Sequence, residues 1–215
     1  MSSVSVRPLS LAVFVGTRGR GSNLFALHEA MEQGRLAAKI VAVVGTRGDA
    51  PALERARDAG LPVLIVDPKS LGDDYESALL SALKDAGADT IALAGFLRRV
   101  PSRIIQAYSG RIVNIHPSLL PLFGGVGMYG EHVHRAAIEY GVKVSGCTVH
   151  FVDEAYDTGP IITQRTVPVL EGDTAETLAA RILPLEHALF AESLQLLAQG
   201  RLHLDGRIVR ISETV

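Results

Sequence analysis

The sequence predicts a doubly wound, mostly parallel α/β sheet with an antiparallel part toward its C-terminal end. Three observations point there. Up to His116, short apolar runs alternate with stretches of helical periodicity. Those runs are continuous rather than in-and-out, as in a sheet covered on both faces. The last candidate strands are separated by turns and not by helices.

After a short polar lead at 1–8, expected to fray, the strand readings are 9–16 (LSLAVFVG), 39–45 (KIVAVVG), 62–66 (PVLIV), 90–94 (TIALA) and 111–115 (RIVNI). Between them lie helical candidates at 22–33, 50–59, 74–86 and 102–108. The third is the clearest: Tyr75, Leu79, Leu80, Leu83 and Ala86 recur at helical spacing behind Asp73 and Asp74. Residues 117–130 (PSLLPLFGGVGMYG) hold two prolines and four glycines, and read as a long loop of the kind that usually carries function. A helix at 131–140 and strands at 147–152 and 161–169 follow, the strands joined by an acidic loop at 153–160. Residues 174–199 form a long amphipathic pattern that Pro184 should kink or split. The tail 201–211 alternates Leu202, Leu204 and Ile208 around Asp205 and Gly206, a β-hairpin signal. No repeat, low-complexity stretch or linker interrupts this pattern, so residues 1–215 read as one domain.

Composition narrows the class. Lys and Arg number 21 against 23 Asp and Glu, a net charge of −2, which argues against sequence-independent nucleic-acid binding. No apolar run reaches the ~18 residues of a membrane-spanning helix. The stretch 9–16 lacks the basic start and small-residue cleavage site of a signal peptide. The expected location is therefore the cytoplasm. Cys147 is the single cysteine, which excludes an internal disulfide framework and any multi-cysteine zinc site.

Three motifs carry chemistry. Residues 16–23 (GTRGRGSN) follow the first strand and open the first helix. A glycine turn there aims backbone N–H groups and a helix N-terminus at an anion, with Ser22 or Asn23 able to cap the helix. Leu24 stands where a dinucleotide fingerprint needs its third glycine, and no Lys follows Gly21, so a phosphate monoester fits better than a dinucleotide or a nucleoside triphosphate. A tight strand-to-helix turn with no ligand explains the same residues equally well.

The second motif is Asn114-Ile115-His116-Pro117 at the end of a strand. Two residues apart, Asn114 and His116 point to the same side, at the strand end where open α/β sheets bind ligands. An amide beside an imidazole suits a tetrahedral oxyanion, with charge stabilised by one and a proton moved by the other. A lone histidine is more often structural. Here the strand end, the paired amide and the long loop favour function.

The third is Asp153-Glu154-Ala155-Tyr156-Asp157-Thr158-Gly159-Pro160. A carboxylate from this turn near His116 would raise the imidazole pKa above about 6.5 and favour its charged form. The same residues make a good turn without any catalytic part. Other candidates are weaker. His132 and His134 fall on different faces of a helix without a Cys or carboxylate partner, so no metal is expected. Cys147 reads as a small buried side chain, and Ser118 lies in no nucleophile elbow. Arg98 and Arg99 read either as an anion grip or as a solvated strand end.

Taken in this order, the motifs resemble the folate-dependent formyltransferase family over residues 9–202. The likeness rests on GSNL at 21–24, LAGFLRRV at 93–100, NIHPSLLP at 114–121, GCTVHFVDEAYDTGPII at 146–162 and EH at 186–187. It implies a Rossmann-like sheet, agreeing with the periodicity. It also implies transfer of the formyl group of 10-formyltetrahydrofolate, a co-substrate, to the amine of 5-phosphoribosyl glycinamide (glycinamide ribonucleotide) in purine biosynthesis. By resemblance Asn114, His116 and Asp157 match the catalytic amide, imidazole and carboxylate. Gly21, Ser22 and Asn23 match the phosphate turn, and Glu186 a ribose-contacting acid. Leu97, Arg98, Arg99 and Val100 match the wall of the pterin pocket, over which Asp153, Glu154, Ala155 and Tyr156 would close. The length leaves no room for the extra nucleic-acid-binding or regulatory domains of related enzymes, so small molecules are the expected partners. Oligomeric state stays open, a homodimer included.

Departures from the family pattern are local. The turn at 16–20 is longer by two Arg residues, and Arg99 stands where an apolar residue is common. Leu183 replaces an expected polar contact, and Gly72 falls near a family arginine. The alternative readings are a deformylase using water, a formyltransferase for an amino-sugar nucleotide, and a folate- or phosphate-binding module that transfers nothing.

Overall fold

The computed structural model of the chain describes residues 6–213. Five strands, β1 (Leu9–Val15), β2 (Ala38–Gly45), β3 (Val63–Ile65), β4 (Thr90–Ala94) and β5 (Ile112–His116), pair in parallel. Two more, β6 (Val144–Phe151) and β7 (Ile161–Pro168), join antiparallel at one edge. The order across the sheet is β3-β2-β1-β4-β5-β6-β7. A separate hairpin, β8 (Leu202–Asp205) and β9 (Ile208–Ile211), follows. The helices in chain order are α1 (Ser22–Glu32), α2 (Pro51–Asp58), α3 (Pro68–Leu71), α4 (Tyr75–Asp85), α5 (Ser102–Ala107), α6 (Glu131–Tyr140) and α7 (Ala175–Ala198). The expected fold class holds in both its parallel and antiparallel parts.

Alternate residues of β1 show why the sheet is covered twice. Leu11, Val13 and Val15 pack with Leu24 and Leu27 of α1 (Ser22–Glu32) and with Leu178, Ile182 and Phe190 of α7 (Ala175–Ala198). Ala12 and Phe14 face the other way, onto Leu79 and Leu83 of the helix at Tyr75–Asp85 and Ile104 of the helix at Ser102–Ala107. Both sets are fully buried, so β1 needs an unbroken apolar run.

Three local expectations are revised. The helix α1 is capped by Gly21 in the left-handed conformation (φ 75°), and neither Ser22 nor Asn23 caps it with a side chain. Glycine adopts that φ without a Cβ penalty, so the turn takes over the role a side chain would otherwise fill. Helix α7 runs 24 residues without a break through Pro184. Its buried face, including Ile182, Glu186 and Leu189, is held against the sheet on both sides of the proline, which itself is exposed. Finally, residues 68–74 form two short helical turns that no apolar periodicity announced. No helix among the described residues is long and apolar enough to cross a membrane.

Candidate active site

The strand order reverses between β1 and β4, and ligands of open α/β sheets bind in the crevice beyond such a reversal. Here Gly16, just after β1, lies so close to Gly95, just after β4, that a Cβ at Gly16 would sit 2.3 Å from the Gly95 carbonyl oxygen. A cavity of about 890 Å³ opens over this point. Ser22, Asn23, Leu97, Asn114, His116, Tyr156, Asp157 and Glu186 all line it. A smaller cavity of about 130 Å³ shares Ser22 and Asn23 with it and extends along Gly19, Arg20 and Gly21. A third, of about 50 Å³, lies behind Asn114 among Arg98, Arg99, Val100, Asp153, Ala155 and Tyr156. Glu154 lines none of these; its Oε2 accepts from Arg99 at 3.2 Å and from Ser102 Oγ at 2.7 Å, tying the acidic loop to the end of β4.

The amide, imidazole and carboxylate meet. Asn114 and His116 sit on β5, and the loop between β6 and β7 carries Asp157 back over them. Asp157 Oδ2 lies 3.6 Å from His116 Nδ1 and accepts the Gly125 N–H at 2.9 Å. Asp157 Oδ1 accepts from Asn114 Nδ2 at 3.5 Å. The other face of His116 is engaged as well, Nε2 donating to the Phe123 carbonyl at 2.9 Å. Two backbone features hold the carboxylate there. Asp157 itself is left-handed (φ 57°), a conformation Asp tolerates through local hydrogen bonding. A Cβ at Gly159 would fall 1.8 Å from the Phe151 carbonyl oxygen, so only glycine lets the loop re-enter the sheet so close.

Electrostatics revise one expectation. Burial holds the His116 imidazole below its ordinary pKa, outweighing the upward pull of the Asp157 carboxylate and the Phe123 carbonyl. The ring is only 4% exposed, and desolvation of the charged form is the larger effect. His116 is therefore poised neutral rather than charged. Burial also raises Asp157, but the His150 and His116 rings and the Gly125 N–H outweigh it and keep the carboxylate ionised. Glu186 is the opposite case: burial pushes its carboxyl up, against the Asn23 Nδ2 hydrogen bond at 3.1 Å.

Other candidates sort plainly. His134 is buried and lines the large cavity, whereas His132 is exposed against Tyr129. Among the described residues no three His, Cys, Asp or Glu side chains gather as a metal site needs. Burial pushes the Cys147 thiol up to about 12. Ser118 is fully buried and donates to the Leu122 carbonyl at 2.7 Å. Leu183 lines the large cavity, while Gly72 is exposed on the short helical segment and lines none of the three. Sequence reasoning missed His150, which pairs directly across the sheet with Asn114. An isolated histidine in an apolar strand gives no such signal; the antiparallel register does.

A doubly wound sheet with polar side chains converging at its reversal point is the architecture of Rossmann-like α/β enzymes. Residues 10–194 match the formyl transferase family, and the chain belongs to it. It is 44% identical over 94% of its length to the chloroplastic phosphoribosylglycinamide formyltransferase of Vigna unguiculata, covering 64% of that protein. Against the phosphoribosylglycinamide formyltransferase of Escherichia coli (strain K12) the identity is 37%, covering 86% of each chain. The crystal structure of glycinamide ribonucleotide transformylase 1 from Symbiobacterium toebii superimposes with a TM-score of 0.88 at 44% identity, over 96% of this chain and 95% of that one.

Proposed function

We propose that the chain transfers the formyl group of 10-formyltetrahydrofolate to the amine of 5-phosphoribosyl glycinamide. One observation carries the reading: the Asn114–His116–Asp157 group and the glycine turn at Gly21 line two neighbouring cavities that share Ser22, Asn23 and Gly95. A phosphate seated on the N-terminus of α1 would meet backbone N–H groups and the positive end of the helix dipole. Glu186, fixed by Asn23, lines the same large cavity as His116 and offers an acceptor to sugar hydroxyls. The formyl donor would take the other side, its ring system received by Leu97, Arg98, Arg99 and Val100 and by Asp153, Ala155 and Tyr156 of the acidic loop.

In this reading the amine nitrogen attacks the formyl carbon, forming one C–N bond, and the C–N10 bond of the folate then breaks. The adduct carries an oxyanion and an ammonium. Neutral His116 accepts the ammonium proton, the Asp157 carboxylate stabilises the imidazolium, and the proton returns to the departing folate nitrogen. Asn114 supplies the polar group at the formyl oxygen. Holding amine and formyl carbon together supplies the remaining advantage.

The test is tetrahydrofolate release from 10-formyltetrahydrofolate with and without the ribonucleotide acceptor. Release only with the acceptor is expected. Equal release without it makes water the acceptor and overturns the reading in favour of a deformylase.

A further inference from the structure

The hairpin of β8 and β9 lies beyond residues 10–194, the part of the chain that the formyl transferase family matches, yet it reaches back to the candidate active site. Its strands pair from Leu202 with Ile211 to Asp205 with Ile208, leaving Gly206 and Arg207 as a two-residue turn with Gly206 left-handed (φ 57°). At its base the Ser212 N–H donates to the Arg201 carbonyl at 3.0 Å, and Arg201 Nε donates to the Ser212 carbonyl at 2.7 Å. Leu202 and Val209 pack against the core cluster that holds Leu178 and Phe190. The hairpin is thus anchored at its base and along its length. Its tip meets the acidic loop, where Arg207 Nη2 donates to the Thr158 carbonyl at 2.8 Å.

Thr158 directly follows Asp157, so this bond fastens the chain at the residue after the carboxylate that faces His116 and Asn114. Glu154, Ala155, Tyr156 and Thr158 are all exposed, so a few hydrogen bonds rather than packing decide where the stretch lies. Inside the loop, Asp153 Oδ1 accepts from Thr158 Oγ1 at 2.6 Å and from the Ala155 N–H at 3.3 Å. Arg99 and Ser102 hold Glu154 at one end of the loop, and Arg207 holds Thr158 near the other. From this geometry we infer that Arg207 is a positioning residue, which through the Thr158 carbonyl keeps the Asp157 carboxylate in place against His116 and Asn114. The inference rests on the formyl-transfer reading above and adds to it an element that the family match does not include. The left-handed backbone of Asp157 (φ 57°) persists only where its surroundings fix it, and Arg207 fixes the peptide that follows Thr158. A displacement of that carboxylate by about 1 Å slows a step that depends on geometry. It leaves the glycine turn at Gly21 untouched.

The test compares the full-length protein with Arg207→Ala, a change at an exposed side chain that should leave the fold intact. One readout needs no turnover. The Gly125 N–H donates to Asp157 Oδ2 at 2.9 Å, so its amide exchange rate, followed by NMR, reports whether the carboxylate stays in place. Arg207→Ala should speed that exchange about 3- to 10-fold, the scale of one hydrogen bond to a charged group. Exchange at Val13 in the buried strand β1, which reports the core, should not change. The second readout is kinetic. Arg207→Ala should lower kcat about 3- to 10-fold with the acceptor KM nearly unchanged. Arg207→Lys, which keeps a cationic donor at the hairpin tip, should recover most of that loss. Unchanged Gly125 exchange in Arg207→Ala overturns the inference, and so does faster exchange with kcat unmoved. A kcat loss accompanied by equally faster exchange at Val13 overturns it too, since the hairpin would then only stabilise the fold. Should the parent protein release no tetrahydrofolate with the ribonucleotide present, the formyl-transfer reading falls, and Gly125 exchange still decides whether Arg207 holds Asp157.

Discussion

The two ends of the large cavity are built on different principles. At the α1 end the groups on offer are backbone: Gly21 caps the helix in a left-handed turn, and no side chain caps its first N–H groups. At the β5 end they are side chains already locked together, Asp157 reaching Asn114, His116, His150 and the Gly125 N–H. A dipole and open donors suit a ligand group that arrives fully charged. An interlocked set of side chains suits charge that appears only during a reaction. In the proposed reaction the two ends would divide binding from chemistry, and substitutions there should divide between KM and kcat.

The sharpest attempt to break that division is Asp157→Asn. Asn tolerates the left-handed backbone at 157, so the fold should persist while His116 loses its counter-charge. A kcat loss on the order of 10²–10⁴ is expected with KM within a few-fold, by analogy with removal of a proton-transfer partner. A KM effect instead would merge the two ends. Next in size is Gly21→Ala. A Cβ there would lie 3.1 Å from Ala52 Cβ at φ 75°, straining the cap by about 1–2 kcal/mol. The acceptor KM should rise about tenfold with kcat nearly kept, measured by steady-state kinetics at varied ribonucleotide.

Glu186→Gln sharpens the comparison by setting stability against binding. The folded pKa of Glu186 is raised by burial, so its contribution to stability is present at acid pH and lost as pH rises through that value. The amide variant carries no charge to bury. It should melt higher than the parent above neutral pH, by about 1 kcal/mol, yet bind the acceptor several-fold more weakly. Thermal melts and acceptor KM read the two effects separately.

The smallest effect is the pH dependence of stability. Burial lowers the pKa of both His116 and His134. The unfolded chain takes up those protons near pH 6.5 and the folded chain does not, so stability should fall as pH drops below that point. A Tm loss of a few degrees from about pH 7 to about pH 5.5 is expected, and His116→Gln should flatten it. The lowered carboxyl of Asp157 adds its own loss only further down, as pH falls through its folded value.

Much of this was legible in the residues. The strands from β1 to β5 announce themselves because burial on both faces demands uninterrupted apolar runs, a strong and local signal. Asn114 and His116 stand out because a strand end followed by a Pro- and Gly-rich loop is a poor place for polar side chains without a task. β6 is less visible. It begins at Val144, three residues before the expected start, because Ser145 and Gly146 pair with β7 without any apolar signature. Pro184 misleads for the opposite reason: its local penalty is real, but packing along both halves of α7 outweighs it.

What the chain encodes locally, through composition, periodicity and motif, is the α/β class, the order of its elements and the residue types brought to the site. What waits for the folded molecule is everything that depends on distance between remote segments. The neutral state favoured at His116 follows from its burial, which outweighs the pull of the Asp157 carboxylate and the Phe123 carbonyl, and proximity to a carboxylate alone suggests the reverse. The contact between Asn114 and His150 comes from a cross-strand register between β5 and β6, 36 residues apart in sequence. Desolvation and register are sums over neighbours that meet only when the sheet closes, and for that reason no single stretch of sequence carries them.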